Sequence, residues 1–140
     1  MSEPNVEYQK PIPVPDEASR PFFEGMKNHE LVLMRCTNCR RWRLPSAQRC
    51  PECWSLDWTW ENASGRGTVY TFAVMHHVLH PGFAGEAPYN VTVVALEEGP
   101  RYQTNLVGIS NKDIHVGLTV LATYEDINEE TSLLKFRPAT

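Results

Sequence analysis

The stretch that decides the fold runs from Cys36-Thr37-Asn38-Cys39 to Cys50-Pro51-Glu52-Cys53, and it contains every cysteine of the 140-residue chain. A tight turn within each Cys-x-x-Cys pair points both sulfurs into the same small space, so two pairs complete one tetrahedral four-thiolate site. Zn²⁺ is the metal that this donor set favours. We therefore predict a structural zinc ribbon whose ligands are the four cysteines, Cys36, Cys39, Cys50 and Cys53.

Two other uses of these cysteines stay open. Two disulfides are the main alternative, although the polar N-terminus shows no secretory signal. A redox Cys-x-x-Cys is less favoured, because such motifs come singly beside a βαβ unit. No apolar run approaches the roughly 18 residues of a membrane span. We expect a cytoplasmic protein with no membrane partner.

The charge of the chain is uneven around the cysteines. The formal net charge is −4, which argues against a protein held to nucleic acid through phosphate contacts. Arginines nevertheless surround the two Cys-x-x-Cys pairs, which we call the knuckles. They are Arg35, Arg40, Arg41, Arg43 and Arg49. Compensation of the anionic zinc–thiolate cluster would explain them. The alternative is an anion-binding face for a partner protein or for a phosphorylated cofactor such as CoA.

The N-terminal region divides into an arm and a helix. Prolines recur through residues 1–15, which predicts an extended Pro-rich arm that is either disordered or lies along another surface. Ser19 is predicted as the N-cap of a helix that reaches about Asn28, with Pro21 near its first position. Gly25 is expected to weaken this helix. We expect it to pack on the ribbon or barrel core, with a partner protein as the alternative surface.

The rest of the chain favours short strands, so the predicted fold is mainly β. Three ribbon strands are predicted, at residues 31–35, 42–45 and 56–60, with Trp58 and Trp60 on one face. After Gly65-Arg66-Gly67, five more strands with Gly- and Pro-marked turns indicate a small Greek-key barrel of OB type. Their predicted ranges are 68–75, 89–96, 101–107, 118–124 and 133–137. Nothing in the chain repeats internally. The expected units are the arm (1–15), the helix with the zinc ribbon (16–62), and a five-stranded OB-fold (63–140).

The residues offer little catalytic machinery. Covalent catalysis by cysteine needs a nucleophile of low pKa beside a histidine, and zinc would occupy all four thiols. A zinc ion bound by four cysteines also has no open position for an activated water. His76, His77 and His80 remain, and His76 and His80 could share one strand face. A surface position, the lining of a substrate channel and a second metal site all remain open for them. We do not expect an enzyme on its own.

The order of motifs resembles one specific family over about residues 17–138. The resemblance lies in Phe22-Phe23-Glu24-Gly25, the four-cysteine ribbon, Gly65 to Phe72, and His80-Pro81-Gly82-Phe83. It continues through Pro88-Tyr89, Leu96 to Arg101, and Phe136-Arg137-Pro138. The chain is similar to the acyl-CoA-associated OB-fold proteins with a rubredoxin-like zinc ribbon, long catalogued as a domain of unknown function. It departs from many relatives at His76-His77 and at Trp54, where a small residue often closes the knuckle.

This resemblance implies a non-catalytic accessory subunit that is required by a thiolase-superfamily acyltransferase, C-acyltransferase or aldolase. Such a subunit would form a hetero-oligomer with thiolase-fold enzyme subunits, hold them together and border the acyl-CoA channel. Single-stranded nucleic-acid binding by an OB-fold with a ribbon is the alternative function. The residues expected on the partner or acyl-CoA surface are Arg40, Arg41, Arg43, His76, His80, Phe83 and Tyr89.

Overall fold

The computed structural model describes residues 10–45 and 48–139. Within those ranges, one α-helix and eight strands follow one another along the chain. The elements are α1 (Arg20–Lys27), β1 (Val32–Cys36), β2 (Trp42–Arg43), β3 (Trp58–Asn62), β4 (Arg66–Met75), β5 (Tyr89–Leu96), β6 (Arg101–Thr104), β7 (Thr119–Asp126) and β8 (Ser132–Pro138). This architecture confirms the predicted mainly-β fold with one N-terminal helix.

The predicted arm is described only at its C-terminal end, since residues 1–9 lie outside the described ranges. Residues 11–16 form no regular secondary structure. Lys10 reaches the barrel, where its ammonium group pairs with Glu86 and lies 5.4 Å from the centre of the Phe83 ring. The described end of the arm therefore lies along the barrel surface.

Helix α1 begins where the sequence predicts, but the start is stabilised differently. Ser19 occupies the N-cap position with φ −103° and ψ −1°, and its side chain caps no backbone N–H of the helix. Its hydroxyl donates instead to Asp16 Oδ1 at 2.7 Å, and its backbone N–H donates to the same oxygen at 2.8 Å. Ser19 is therefore the N-cap, as predicted, but Asp16 holds its hydroxyl in the preceding turn.

Gly25 has a packing role that its low helix propensity conceals. A Cβ atom at this position would lie 2.6 Å from Val32 Cγ2 and 3.1 Å from the Glu30 carbonyl oxygen. Phe22 and Met26 flank it on the buried side of the helix, at 6% and 1% exposure. The glycine therefore lets α1 approach β1 closely, a packing role that the sequence analysis did not predict.

The ribbon is a three-stranded antiparallel sheet in the order β2-β1-β3. Met34 at its centre pairs with Arg43 on one side and with Trp60 on the other. Trp58 and Trp60 share a face as predicted, with ring centroids 5.2 Å apart in an edge-to-face arrangement. β3 begins two residues later than predicted, because Asp57 is held in the turn by a hydrogen bond from its N–H to Ser55 Oγ.

The barrel strands pair in the order β6-β5-β4-β7-β8. A bulge in β4 between Val69 and Thr71 adds one residue against β5, and bulges of this kind help a sheet to curl. The two ends of the sheet meet through a parallel bridge between Leu106 and Phe136. The five-stranded barrel predicted from the sequence is therefore confirmed, with its closing bridge supplied by the segment after β6.

That segment corrects one predicted boundary, since β6 ends at Thr104 rather than at residue 107. Beyond Thr104, hydrogen bonds made by the Asn90 side chain replace the backbone hydrogen bonds between β5 and β6. Its amide donates to the Leu106 carbonyl at 2.9 Å, and its carbonyl accepts the Leu106 N–H at 2.7 Å. Asn90 is only 6% exposed, so a buried side chain directs the strand towards β8.

One hydrophobic core joins the ribbon and the barrel. Phe22 on the helix lies 6.2 Å from the Tyr102 ring of the barrel, and the fully buried Phe136 lies 6.4 Å beyond Tyr102. The helix therefore packs on the protein's own core, as expected. The buried members of this core are Phe22, Met26, Leu31, Leu33, Val69, Val94, Leu96, Leu106, Ile114, Val120, Leu134 and Phe136. Across residues 10–45 and 48–139, we find no helix with the length and apolarity needed to span a membrane.

Candidate metal centre and arginine cleft

The four cysteines meet at one end of the ribbon. Their Sγ atoms all lie within 4.8 Å of one another, and two cross-knuckle pairs are closer. Cys36 and Cys53 are separated by 3.6 Å, as are Cys39 and Cys50. A disulfide needs about 2.05 Å between its sulfurs, so these cysteines are free thiols. Thiolates bound to zinc at about 2.3 Å in a tetrahedron lie about 3.8 Å apart. The sulfurs are thus spaced for a tetrahedral metal ion.

The two knuckles have the same backbone design. The N–H of each leading cysteine donates to a carbonyl five residues later, from Cys36 to Arg41 and from Cys50 to Ser55, both at 2.9 Å. In the first knuckle, the Cys39 N–H donates to Cys36 Sγ at 3.4 Å. In the second knuckle, the Glu52 N–H donates to Cys50 Sγ at the same distance. Such N–H···S bonds favour thiolates. The knuckles therefore prepare their sulfurs for a cation.

A pair of arginines braces the knuckles at equivalent positions. Arg35 Nε donates to the Arg40 carbonyl at 2.9 Å, and the Arg49 guanidinium donates to the Trp54 carbonyl at 2.7 Å. Arg40 and Trp54 each follow the second cysteine of a knuckle and have positive φ. The common pattern is Arg-Cys-x-x-Cys followed by a left-handed residue. It is a short internal repeat, so the expectation that nothing repeats is wrong.

The thiols differ in acidity because their hydrogen bonds differ. The Cys39 N–H lowers the pKa of Cys36 to about 6, and the Cys53 N–H lowers the pKa of Cys50. Although the Arg41 N–H favours the thiolate of Cys39, burial and the neighbouring thiols raise the pKa of Cys39 to about 11. Four adjacent thiolates repel one another, and a divalent cation removes that repulsion. The donor set therefore fits a soft, tetrahedral metal ion.

The predicted surface arginines line a cleft between the ribbon and the β5–β6 turn. This arginine cleft has a volume of about 630 Å³. Arg40 and Arg41 expose 55% and 66% of their side chains, whereas Arg43 is only 8% exposed. The residues that line it are Arg40, Arg41, Trp42, Arg43, Leu44, Cys50, Pro51, Glu52, Glu98, Gly99 and Pro100. The structure thus brings Arg40, Arg41 and Arg43 together beside the candidate metal centre.

Of the other predicted surface residues, His76, His80 and Phe83 lie on the β4–β5 loop, and Tyr89 is the first residue of β5. Phe83 and Tyr89 stack with ring centroids 5.1 Å apart, and His80 meets the edge of Phe83 at 6.1 Å. His80 Nδ1 accepts a hydrogen bond from the Gly82 N–H at 2.9 Å. Tyr89 lines a separate cavity of about 450 Å³. This loop cluster and the arginine cleft therefore form two surfaces that share no lining residue.

His76 does not join the loop cluster through a common strand. β4 ends at Met75, and His80 precedes a short 3₁₀ turn at Pro81–Phe83. The expectation that His76 and His80 share a strand face is therefore wrong, because the chain leaves the sheet before either histidine. His76 is exposed.

The sequence analysis missed one functional candidate, Glu98, in the arginine cleft. Its Oε2 accepts a hydrogen bond from the Ser64 N–H at 2.7 Å, which ties the β5–β6 turn to the junction between ribbon and barrel. Its Oε1 is buried and has no hydrogen-bond partner among the described residues. The Glu97-Glu98-Gly99-Pro100 sequence predicts only a turn, so the burial of one oxygen had no signal in the sequence.

Two family models match adjoining parts of the chain. The model described as "ChsH2, rubredoxin-like zinc ribbon domain" matches residues 23–59. The model described as "ChsH2, C-terminal OB-fold domain" matches residues 60–125. Together these matches cover the ribbon and most of the barrel, and they agree with the architecture described above.

Individual proteins are similar over most of the chain. A "DUF35 domain-containing scaffold protein" of Methanocaldococcus jannaschii is 34% identical, over 77% of this chain and 81% of its own length. A "Probable enoyl-CoA hydratase alpha subunit" of Thermomonospora curvata is 41% identical over 93% of this chain, which spans only 40% of that relative's length. A solved chain of an "Ltp2-ChsH2(DUF35) aldolase" is 41% identical with a TM-score of 0.81, covering 91% of this chain and 99% of its own.

Proposed function

The chain belongs to the ChsH2 family of zinc ribbon and OB-fold proteins, and from that membership we propose that it is a non-catalytic accessory subunit of an acyl-CoA-processing complex. Its partner would be a thiolase-superfamily enzyme that acts as an acyltransferase, C-acyltransferase or aldolase. The chain would hold the subunits of the hetero-oligomer together and border the acyl-CoA channel. The cysteine cluster suits a reducing compartment, which supports a cytoplasmic location.

The observation that carries this proposal is the match to the solved aldolase chain. That chain is matched over 99% of its length, so a unit of this size occurs as one chain of a protein described as an aldolase. The Methanocaldococcus jannaschii relative is named a scaffold protein, and the Thermomonospora curvata relative is named a subunit. All three descriptions support an accessory role for the present chain.

The metal would serve structure rather than chemistry. We assign zinc to the centre, with Cys36, Cys39, Cys50 and Cys53 as ligands, because the sulfur spacing suits tetrahedral zinc. When bound, zinc would neutralise the thiolates and cross-link the two knuckles. The same four residues are all the cysteines of the chain, so no thiol remains to carry an acyl group. The covalent step would belong to the partner.

The division of labour within the chain follows from its two surfaces. We propose that the helix-and-ribbon unit (16–62) supplies the arginines of the cleft that is offered to partner subunits. The OB-fold (63–140) adds its β5–β6 turn to that cleft and offers the loop cluster to the acyl channel. The stacked Phe83 and Tyr89 supply an apolar wall. His80 lies at the edge of that wall, and the exposed His76 precedes it in the chain.

The test is to tag the chain in its own host and identify the enzyme that co-purifies with it. We expect a thiolase-superfamily enzyme whose activity falls at least tenfold when the chain is omitted and returns when the zinc-loaded chain is added. The Ltp2 subunit of the solved aldolase serves as a defined second partner for reconstitution. A thiolase-superfamily partner that is fully active without this chain would refute the proposal.

The nucleic-acid alternative has less support. The formal net charge of −4 and the sequence pI near 5.7 oppose binding to a polyanion. Filter binding of single-stranded DNA at low salt would decide between the two functions. Phosphate contacts would give an affinity that falls steeply with salt concentration, whereas an accessory subunit would show no such binding.

A further inference from the structure

The arginine cleft carries charged groups that are only loosely paired. Arg40 lies 3.9 Å from a carboxylate oxygen of Glu61, and Arg41 lies 3.8 Å from one of Glu52. Both separations are longer than those of hydrogen-bonded ion pairs, which lie near 2.7–2.9 Å. More than half of each arginine side chain is exposed. Exposed, loosely held guanidinium groups can exchange their present partners for a bidentate carboxylate at little cost.

The lining of the cleft also includes a buried acceptor. Glu98 Oε1 is shielded from solvent and accepts no hydrogen bond from the described part of the chain, while Oε2 is fixed by the Ser64 N–H. Leaving a buried charged acceptor without a donor costs free energy. A ligand whose binding uncovers this oxygen and brings an N–H or O–H group to it would recover that cost.

Part of the lining of the cleft is apolar. Trp42, Leu44 and Pro100 contribute to the lining, and Arg35 stacks over the Trp42 ring at 4.7 Å, which holds the indole in place. The cleft therefore offers two exposed guanidinium groups, one unsatisfied acceptor and a fixed apolar surface. Its ligand should combine anionic groups, N–H donors and an apolar side chain.

We propose that the arginine cleft receives an extended acidic segment of the partner subunit; this inference rests on the proposed accessory function. Carboxylates of the segment pair with Arg40 and Arg41, a backbone N–H donates to Glu98 Oε1, and an apolar side chain packs on Trp42 and Leu44. An extended peptide presents backbone donors and alternating side chains at the same time. The segment thereby satisfies all three features of the cleft.

A phosphorylated small molecule fits the same surface less well. The cleft is lined by the carboxylates of Glu52 and Glu98 and by the proposed metal ligand Cys50 as well as by three arginines, so even without the thiolate its formal charge is only +1. Dense phosphate charge would meet repulsion from both carboxylates. The single charges of aspartate or glutamate can be placed on the arginines, with N–H groups facing the carboxylate of Glu98. Charge complementarity therefore favours the acidic peptide over a phosphate-bearing ligand.

The test uses a synthetic probe and the full zinc-loaded chain. An acetylated, amidated peptide of alternating glutamate and leucine is titrated into ¹⁵N-labelled protein, with a lysine–leucine peptide as the counter-probe. We expect the amide signals of Trp42, Leu44 and Gly99 to shift with the acidic peptide only. Arg41→Glu should weaken binding at least tenfold and Glu98→Gln about fivefold. Arg137→Glu, a matched reversal on β8, should leave the affinity unchanged.

Three results would overturn the inference: peptide shifts that lie outside the cleft, equal affinity of the Arg41→Glu variant, or displacement of the peptide by an equimolar amount of CoA. The last result would assign the cleft to a phosphorylated ligand. The co-purification test of the proposed function does not depend on this probe. A failed titration therefore refutes the acidic segment alone, whereas a partner that needs no accessory chain refutes the proposed function.

Discussion

Arg40 and Trp54 close the two cysteine knuckles with the same left-handed backbone, at φ values of 68° and 69°. This conformation costs residues with a Cβ atom about 1–2 kcal/mol, whereas glycine adopts it without that cost. Each residue has its carbonyl braced by an arginine, Arg35 in the first knuckle and Arg49 in the second. The braces therefore help to hold a conformation that the side chains disfavour.

Trp54 is the better position at which to test this strain, because its indole is 70% exposed and contributes little to the core. We expect Trp54→Gly to change the free energy of unfolding by less than about 1 kcal/mol, since relief of strain offsets the flexibility of glycine. Trp54→Val should destabilise the protein by about 1–2 kcal/mol more than glycine does, because β-branched residues fit this conformation poorly. Urea unfolding of the zinc-loaded variants measures the difference. Equal stability of the two variants would contradict the argument.

The sequence predicted the four cysteines as a cluster because metal-ligand spacing is a local property of the chain. It also predicted the eight strands, most within two residues, because alternating β-branched and aromatic residues are equally local. It could not predict the Asn90–Leu106 pairing or the buried oxygen of Glu98. Both depend on segments that meet only after the barrel closes. The Arg-Cys-x-x-Cys repeat was present in the sequence, but the meaning of its arginines required the carbonyl positions.

At Gly25, helix propensity and packing predict opposite effects of an alanine substitution on stability. Propensity alone favours Gly25→Ala by about 1 kcal/mol. The new Cβ would lie 2.6 Å from Val32 Cγ2, and overpacking of this kind costs about 1–3 kcal/mol. We expect a net loss of stability. The double variant Gly25→Ala with Val32→Ala should be more stable than the two single changes predict by addition. Additive effects in urea unfolding would show that the close approach is unimportant.

Asn90 should be among the polar residues to which stability is most sensitive. Asn90→Ala removes both bonds to the Leu106 backbone and leaves a buried N–H and carbonyl without partners. We expect a loss of about 2–4 kcal/mol in the free energy of unfolding. The control is Asn111→Ala, which removes a single exposed bond to the Pro88 carbonyl and should cost less than about 1 kcal/mol. Similar losses for both variants would rule out a special role for Asn90 in closing the barrel.

Tyr102 should make the stability sensitive to alkaline pH. Burial raises the pKa of Tyr102 to about 12 from its ordinary value of 10.0. The neutral phenol is therefore favoured in the folded state. Its contribution to the free energy of unfolding is complete below pH 10 and is lost as the pH rises towards 12. Relative to Tyr102→Phe, the wild-type protein should lose about 1.4 kcal/mol per pH unit in this interval. Tyr70→Phe, which alters an exposed ring, is the control. A constant difference between wild type and Tyr102→Phe from pH 9 to 12 would contradict the prediction.

Metal loss should affect the whole protein, because the ribbon and barrel share one core. Leu33 on β1 is fully buried in the same cluster as Val94 and Phe136 of the barrel, and Cys36 at the end of the same strand is a ligand of the proposed zinc site. Cys39→Ser removes one thiolate and should abolish stoichiometric zinc binding. Unfolding of the ribbon would then expose Leu33 and the buried face of α1. We expect the barrel to melt at a lower temperature, and complex formation to be lost.

The measurement is near-ultraviolet circular dichroism of the variant and of wild-type protein treated with a chelator. Tyr102 in the barrel and Trp60 in the ribbon both pack on the shared core, so their signals should disappear in one transition shifted down by at least 10 °C. Thr37→Ser, a change within the first knuckle at a position that is not a ligand, controls for local disturbance and should retain one zinc per chain. If the variant kept the wild-type melting temperature and bound its partner normally, the metal centre could not be the structural link between ribbon and barrel.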